Sequence, residues 1–575
     1  MNKKIWILID RKKIKAFEGE TILDIAQREK IDIPTLCYHP KLEKDFDCGI
    51  CCVEVDGEMQ NACCLKVENG MEVLTDSDNV RKLRKKRLSD IFSNHYKECD
   101  DCVLKFNCQL LQLVKKYDVK PKAVEKNAAK DKTFQIGPSL IFDRAKCIDC
   151  GNCIDVCDKQ SIGFLTKDSN DYVTPTDNKN KDCIYCGQCI VHCPVGALEA
   201  VGEFEEVELP FKDKDKIVIA QIAPAIRATI GEEFGLINDN LMTNRLSAAL
   251  RELGFDYVFD VSLAADCLVI EESKDFIERL GDKSNMPLFS SCCPSWVKFI
   301  EFYYPDLISH LSNVRPPNII LGGLIKTFWA EKLNISADKI VVVAIMPCIS
   351  KKYEITHKEY HINGLAPVDY VLTTREISYL LKKNKIDLKK IKPGKLDDLL
   401  NNPSAAGVNF GFSGGVSKAI FRTVYKNMTG DELSEEIDFE NMKDFPGCSS
   451  TKIKIKDKFF KLIKVNGIKD VAKVLEEIKI NPNFCDYLEV MACPGGCIGG
   501  GGQPLSKDVD IIEKRIQALS HIGKSKEVKT AHHNMIVQMI YKEYLNNQDR
   551  INLVCRTNFK KRKRGVCKIL PPGSH

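Results

Sequence analysis

Cysteine spacing constrains this chain more than any other feature of its sequence. The 27 cysteines fall into tight C-x-x-C groups separated by long cysteine-free stretches. Thiols grouped in this way in a long chain point to metal binding in a reducing compartment, not to a disulfide framework. At 575 residues the chain is too long for one ordinary core, and length predicts roughly three to five domains. The composition, 44% apolar and 29% charged with a net charge of +5, is that of a soluble globular protein and gives little reason to expect a nucleic-acid ligand. The opening MNKKIWILIDRKKIKAF alternates apolar and polar residues, so it reads as a strand and not as a signal peptide. KIVVVAIM (339–346) reads as a buried strand, and no window approaches the roughly 18 apolar residues of a membrane span. The expectation is a cytoplasmic protein without a membrane segment.

Residues 1–80 open with two strands, Ile5–Ile9 and Lys13–Phe17, then the helical TILDIAQREK. Cys37, Cys48, Cys51 and Cys63 follow as C-x10-C-x2-C-x11-C. A wide gap, a tight pair and a distant fourth thiolate suit a loop folded over a two-iron cluster, and the segment resembles a plant-type [2Fe–2S] ferredoxin domain, departing from it in the first gap. A zinc site is the plainer alternative, although zinc knuckles usually show two matched pairs. Cys52 and Cys64 each directly follow a proposed ligand. Adjacent side chains in extended backbone point apart, so both are expected to be spectators.

His95, Cys99, Cys102 and Cys108, within 81–125, form H-x3-C-x2-C-x5-C. Taken alone, this fits a Cys3His zinc site equally well. Its position between two cluster-binding stretches favours a [4Fe–4S] centre, in which an imidazole replacing a thiolate raises the potential. Residues 109–140 read as a helix leading into a Lys-rich linker. The next domain, 138–208, carries Cys147, Cys150, Cys153 and Cys157, then Cys183, Cys186, Cys189 and Cys193, each run spaced C-x2-C-x2-C-x3-C. This is the duplicated bacterial ferredoxin run, whose fourth cysteine serves the other cluster. Cys147, Cys150, Cys153 and Cys193 are therefore assigned to one [4Fe–4S] centre, and Cys183, Cys186, Cys189 and Cys157 to a second. Four clusters in succession make a wire, and a wire needs chemistry or a docking site at each end.

From about residue 215 the pattern becomes α/β. The strands 217–224, 340–347 and 486–493 each run out at Pro or Cys, and open α/β sheets place their ligands at strand C-terminal ends. Three cysteine segments stand out: FSSCCPSW (289–296), MPCISKKYE (346–354) and MACPGGCIGGGGQP (491–504). No two of them alone supply a recognised cluster spacing. Together they offer Cys293, Cys348, Cys493 and Cys497, with Cys292 left over.

These three segments closely resemble the signature motifs of the [FeFe]-hydrogenases, and the upstream motifs resemble those of the multi-cluster monomeric clostridial type. The resemblance spans about residues 1–547. It implies ferredoxin-like cluster domains of α+β type followed by a two-lobed α/β catalytic domain (215–505), with a small-subunit-like helical segment over 506–550. By the same resemblance, Cys293, Cys348, Cys493 and Cys497 hold a [4Fe–4S] cubane. Cys497 also bridges to a diiron subsite carrying CO, CN⁻ and an azadithiolate, completing the H-cluster beside one accessory [2Fe–2S] and three accessory [4Fe–4S] clusters. Lys351 can place an ammonium against a cyanide, and Ala223, Pro224, Met346, Phe410, Gly411 and Met491 line the pocket. The glycine run 499–502 lets backbone approach a bulky cluster; a phosphate loop is the alternative, but no Gly-Lys-Ser/Thr follows.

The resemblance further implies a proton relay from Cys292 through Glu272, Ser312 and Asp275 to Arg279. Asp275 stands where family members usually carry glutamate, and its shorter reach suggests a bridging water. Glu272 and Asp275 sit on one helix face, which an exposed acidic helix would also explain. Ser290, Ser295 and Ala225 are further departures beside the site. The expected reaction is 2H⁺ + 2e⁻ ⇌ H₂, with electrons from a ferredoxin or flavodoxin steered by Lys3, Lys4, Arg11–Lys13 and Arg81–Arg87. The diiron unit would come from maturation proteins. Two rival functions are a non-catalytic cluster-assembly relative, which should lack Cys292 or Lys351, and a hydrogen sensor, which should carry an extra signalling domain. Residues 551–575 match no family ending and read as a solvated basic tail, with Cys267, Cys448, Cys485, Cys555 and Cys567 as spectators.

Overall fold

The computed structural model describes residues 3–42, 48–95, 99–122, 131–237, 239–282 and 285–570. The first sheet contains β1 (Lys4–Ile9), β2 (Lys12–Phe17), β3 (Cys52–Val55), β4 (Glu58–Asn61) and β5 (Glu72–Leu74), in the order β2-β1-β5-β3-β4. Asp10 and Arg11, at φ 48° and 68°, make the two-residue turn that matches strand twist in a hairpin. The helix Ile22–Arg28 starts at a Thr21–Asp24 capping box and buries Ile22, Leu23, Ile25 and Ala26. Cys37 is buried in this core and Cys48 packs against it.

The second sheet is built on β6 (Thr133–Ile136) and β7 (Leu140–Asp143), beside a small hairpin of β8 (Leu165–Lys167) and β9 (Val173–Pro175) and ahead of β10 (Leu198–Ala200). The expected linker over 109–140 is thus only partly a linker. After the helix Gln109–Lys116, the chain re-enters the core at β6, where Phe134 and Ile136 are buried at the two-residue period of a strand.

The α/β region from residue 217 holds two sheets. β11 (Ile217–Ile222), β12 (Tyr257–Asp260), β13 (Leu288–Phe289), β14 (Ile340–Met346), β15 (Tyr370–Thr373), β16 (Glu440–Asn441), β17 (Cys448–Ile455), β18 (Lys458–Asn466) and β19 (Tyr487–Met491) divide between them. One sheet is all-parallel, in the order β12-β11-β14-β15; the other is mixed, in the order β13-β19-β18-β17-β16. The near-continuous burial of β11 and β14 is what a parallel sheet covered on both faces requires. The long helix Ser262–Asp282 lies against the mixed sheet, with Phe276 edge-on to Phe460 of β18 at 5.8 Å between ring centroids. Parallel pairing sets the ends of β11 and β14 side by side, while β13 ends opposite Leu488 and β19 continues to Met491. All the cysteines of the three catalytic segments follow β13, β14 and β19.

The C-terminus departs from expectation. Residues 551–570 are not a solvated tail. After the helix Gln548–Cys555, the chain runs across the catalytic region and ends as β20 (Cys567–Leu570), antiparallel to β6 at the edge of the second sheet. The reason is electrostatic and topological. Arg556 meets the buried Glu271 at 2.7 Å, Arg562 meets the buried Glu301 at 3.4 Å, and the Gly565 N–H donates to Asp182 Oδ2 at 3.0 Å. Buried carboxylates need such partners, and β6 offers an open edge. Residues 571–575 lie outside those described. Among the described residues no helix is long and apolar enough to cross a membrane.

Candidate active site

The thiols of Cys293, Cys348, Cys493 and Cys497 converge from three strand ends. Burial first, then the neighbouring sulfurs, raises the ionisation of Cys348 and Cys493, and Cys497 is pushed up to about 12 in the same way. Such crowding of unpaired thiols in a buried site is costly unless they ligate a metal, which deprotonates them. Cys293 Sγ also receives backbone N–H groups of Ser295, Trp296 and Ala492. Ala223, Met346, Phe410 and Met491 are buried in one apolar cluster against which Cys292, Cys293 and Cys497 pack, and Gly411 approaches Ala225. The residues present fit a bulky sulfur-held cluster with apolar walls.

The glycines have a sharper reason than closeness to a cluster. Gly496, at φ 91°, would put a Cβ 2.7 Å from Ser413 N. Gly501 lies against Gly187, and a Cβ on it would come 2.5 Å from Gly187 Cα. The run is therefore fixed by loop against loop.

Lys351 is buried and donates to Asn318 Oδ1 at 2.9 Å and to Glu354 at 2.8 and 2.9 Å. Burial opposes its charge, but the Glu354 carboxylate more than offsets this, so it stays an ammonium. Its charge stabilises the thiolates of Cys293, Cys348 and Cys497. Lys352 serves packing instead, pairing with Glu203 at 2.8 Å and Glu376 at 3.2 Å.

Cys292 is held as a thiol by burial and by the nearby Glu272 carboxylate. Ser290 Oγ donates to its sulfur at 3.6 Å. Glu272 is fully buried, which rules out an exposed acidic face, and burial pushes its carboxyl up to about 7 against hydrogen bonds from Tyr487 and Ser312. The Tyr487 hydroxyl donates to Glu272 Oε1 at 2.7 Å. Asp275, one turn on, forms a two-point pair with Arg279 at 3.0 and 3.3 Å. Arg279 also donates to the carbonyls of Ser309 and Leu311 near the surface.

Cys147, Cys150 and Cys153 each feel Cys193, while Cys183, Cys186 and Cys189 each feel Cys157. Cys37 and Cys48 hydrogen-bond each other, and Cys51 Sγ lies 3.3 Å from Cys63 Sγ. Cys64 departs from the expectation that neighbouring side chains diverge, since its sulfur lies 3.4 Å from that of Cys63; Cys52 turns away to the Val80 carbonyl. His95, Cys99, Cys102 and Cys108 line one cavity, where His95 Nε2 lies 3.1 Å from the Lys146 carbonyl oxygen. Arg84, counted among the steering residues, is buried and donates to the Cys52 carbonyl, so it belongs to the core.

Residues 216–501 match the family described as the iron-only hydrogenase large subunit, C-terminal domain. Residues 2–78 match a 2Fe-2S iron-sulfur cluster binding domain, and 146–197 a 4Fe-4S dicluster domain. The NADP-reducing hydrogenase subunit HndD of Solidesulfovibrio fructosivorans is 36% identical over 97% of this chain and 99% of its own length. This chain is a member of the iron-only hydrogenase family. Iron hydrogenase 1 of Clostridium pasteurianum is 33% identical over 94% of the chain and 96% of its own length. The structure of [FeFe]-hydrogenase HydA1 from Chlamydomonas reinhardtii superposes with a TM-score of 0.58 at 29% identity, covering 63% of this chain and 99% of that one. As an iron-only hydrogenase the chain is an oxidoreductase acting on hydrogen, carrying 2Fe–2S and 4Fe–4S clusters and an H-cluster.

Sequence reasoning missed Tyr487, Asn318 and Glu354. The Lys351–Glu354 pair had a signal, three residues apart on one helix. Tyr487 had none, being one more strand residue until β19 meets the helix carrying Glu272.

Proposed function

We propose that the chain catalyses 2H⁺ + 2e⁻ ⇌ H₂ reversibly, with Cys293, Cys348, Cys493 and Cys497 as the residues that would hold the H-cluster. The observation that carries this reading is the meeting, in one buried site, of those four thiols with a fifth, Cys292, that lies near the buried Glu272 carboxyl. When bound, the cluster supplies the metal centre at which protons and electrons combine. Lys351, pinned by Asn318 and Glu354, presents a fixed ammonium to it. The apolar walls of Met346, Phe410 and Met491 exclude water, so protons must travel through side chains. Cys292 takes or gives the proton, Glu272 relays it with a pKa near neutrality, and Ser312, Asp275 and Arg279 carry it toward solvent.

The electron supply runs through one [2Fe–2S] and three [4Fe–4S] clusters on Cys37, Cys48, Cys51 and Cys63; on His95, Cys99, Cys102 and Cys108; and on the two cross-paired cysteine sets of 147–193. Ferredoxin or flavodoxin is the proposed donor, in a reducing cytoplasm that suits a chain whose cysteines are grouped for metal binding. A second reading of the donor rests on HndD, named as a subunit of an NADP-reducing hydrogenase, to which the chain is similar over nearly its whole length. On that reading the electrons come from a partner subunit. Turnover of the isolated chain with reduced ferredoxin separates the two.

The test of the main reading is infrared spectroscopy of matured protein in the CO and CN⁻ stretching region, with hydrogen evolution from a reduced dye. The expected result is both sets of bands and turnover; no bands after competent maturation would sink it.

A further inference from the structure

Outside the cysteine segments, two histidines and a glutamate meet where the C-terminal part of the chain docks on the helix Gly415–Thr429. That helix ends at Gly430, whose φ of 84° turns the chain sharply and brings Glu432 back beside the last turns. The short turn Ala531–His533 lies against it. Glu432 Oε2 is 3.1 Å from His532 Nε2, and its Oε1 is 3.3 Å from His533 Nε2. One ligand atom from each of the three residues lies within 4.8 Å of the other two. Ligand atoms around a tetrahedral zinc at its usual bond lengths of about 2.0–2.1 Å stand roughly 3.3 Å apart, so little movement is needed to close this set on an ion.

The far nitrogens of the two rings are held by threonines. The Thr423 hydroxyl donates to the Ala419 carbonyl at 3.3 Å, which leaves its oxygen to accept from His532 Nδ1 at 3.0 Å. Thr530 Oγ1 lies 3.0 Å from His533 Nδ1 and 3.2 Å from His532 Nε2, so it accepts from the first and donates toward the second. With both Nδ1–H groups held in this way, both Nε2 lone pairs face the Glu432 carboxylate. An outer hydrogen bond that fixes tautomer and ring direction is what metal-binding histidines require. The turn itself is anchored, because Gln538 Nε2 donates to the His532 carbonyl at 2.8 Å and the buried Asn534 donates to Asp266 Oδ2 at 2.8 Å.

We propose that Glu432, His532 and His533 form a binding site for a divalent transition-metal ion, zinc foremost, with water completing its coordination. Two imidazoles and one carboxylate suit zinc, whereas calcium and magnesium take oxygen ligands. The site is separate from the hydrogen chemistry proposed above and does not depend on it. It would tie the loop after the helix Gly415–Thr429 to the start of the C-terminal segment. Lys426 tempers the affinity: its ammonium lies 3.1 Å from Glu432 Oε1 and donates to the Gly430 carbonyl at 2.8 Å, so a like charge borders the ion.

The test titrates untagged protein, its iron–sulfur clusters loaded and its thiols reduced, with zinc chloride in an anaerobic calorimeter. Zinc K-edge X-ray absorption is then recorded on the one-to-one complex. One saturable site is expected, with nitrogen and oxygen neighbours at about 2.0–2.1 Å and no sulfur at about 2.3 Å. His533→Ala and Glu432→Gln should each weaken zinc at least about tenfold at unchanged iron content; both side chains are largely exposed, so folding is not at stake. Lys426→Met should tighten zinc several-fold, because a like charge leaves. Zinc should also raise the thermal midpoint of wild type and not of His533→Ala. A sulfur shell, wild-type affinity in both ligand variants, or no saturable zinc binding overturns the proposal.

Discussion

The sulfur of Cys493 lies 3.7 Å from the backbone carbonyl oxygen of Cys186. One residue belongs to the catalytic glycine loop and the other to the second bacterial ferredoxin run. Gln188 Nε2 reinforces the contact by donating to the Gly499 carbonyl at 3.0 Å. The approach is possible because Gly187 and Gly501 face each other without side chains.

Gly501→Ala tests that contact. The added methyl would sit 2.5 Å from Gly187 Cα and 2.8 Å from the Cys186 carbonyl oxygen, and backbone has to move, at a cost of about 1–3 kcal/mol. Dye-driven hydrogen evolution should fall several-fold at unchanged iron content, with weaker magnetic coupling between the two nearest reduced centres in electron paramagnetic resonance. Wild-type rates would remove this loop pair from the electron route.

Lys298 and Asp182 form a buried ion pair that ties the helix Pro294–Tyr303 to the residue preceding Cys183. The Gly565 and Cys183 N–H groups also donate to the Asp182 carboxylate, and the Tyr303 hydroxyl donates to the Asp182 backbone carbonyl. Lys298→Met leaves the carboxylate uncompensated and should cost about 3–5 kcal/mol, read as a lower thermal midpoint. Replacing both residues with apolar ones of similar volume should recover much of the loss.

Glu272 gives stability a definite pH dependence. Its folded carboxyl titrates at about 7, above the ordinary 4.5, so between these values the folded state binds the proton that the unfolded chain has lost. Stability from this group is complete below about pH 4.5 and lost as pH rises through about 7. The swing is on the order of 3 kcal/mol. The difference in melting temperature between wild type and Glu272→Gln should therefore change steadily between about pH 4.5 and 7 and level off above that; a constant offset would contradict the raised value.

Electrostatic docking of a carrier makes a separable prediction. Lys82, Lys85, Lys86 and Arg87 are exposed on the helix Asp78–Phe92, while Arg84 is not available. Raising salt to several times the physiological level should slow ferredoxin-driven turnover several-fold and leave dye-driven turnover unchanged. Lys85→Glu with Lys86→Glu should raise the KM for ferredoxin without altering kcat. Equal salt effects on both donors would argue against a steered carrier.

The sequence by itself determined the chemistry. Thiol number and spacing marked the duplicated ferredoxin run of 147–193, because a cube of iron and sulfide accepts ligands only from a few loop lengths, whereas the His95 group and the three later segments needed their neighbours and the family resemblance. Strand positions such as 340–347 were legible for the same local reason, a short apolar run ending at proline. Only the tertiary structure decided what depends on distant partners. The basic run Lys560–Arg564 looked like a solvated tail because nothing local shows that Glu301 is buried and that β6 has an open edge. Tyr487 looked like one more core residue until β19 set its hydroxyl on Glu272. The glycines 499–502 looked like room for a cluster until Gly187 arrived opposite them. Ligand spacing is written along the chain; the route of a proton or an electron is written between elements that the chain brings together only on folding.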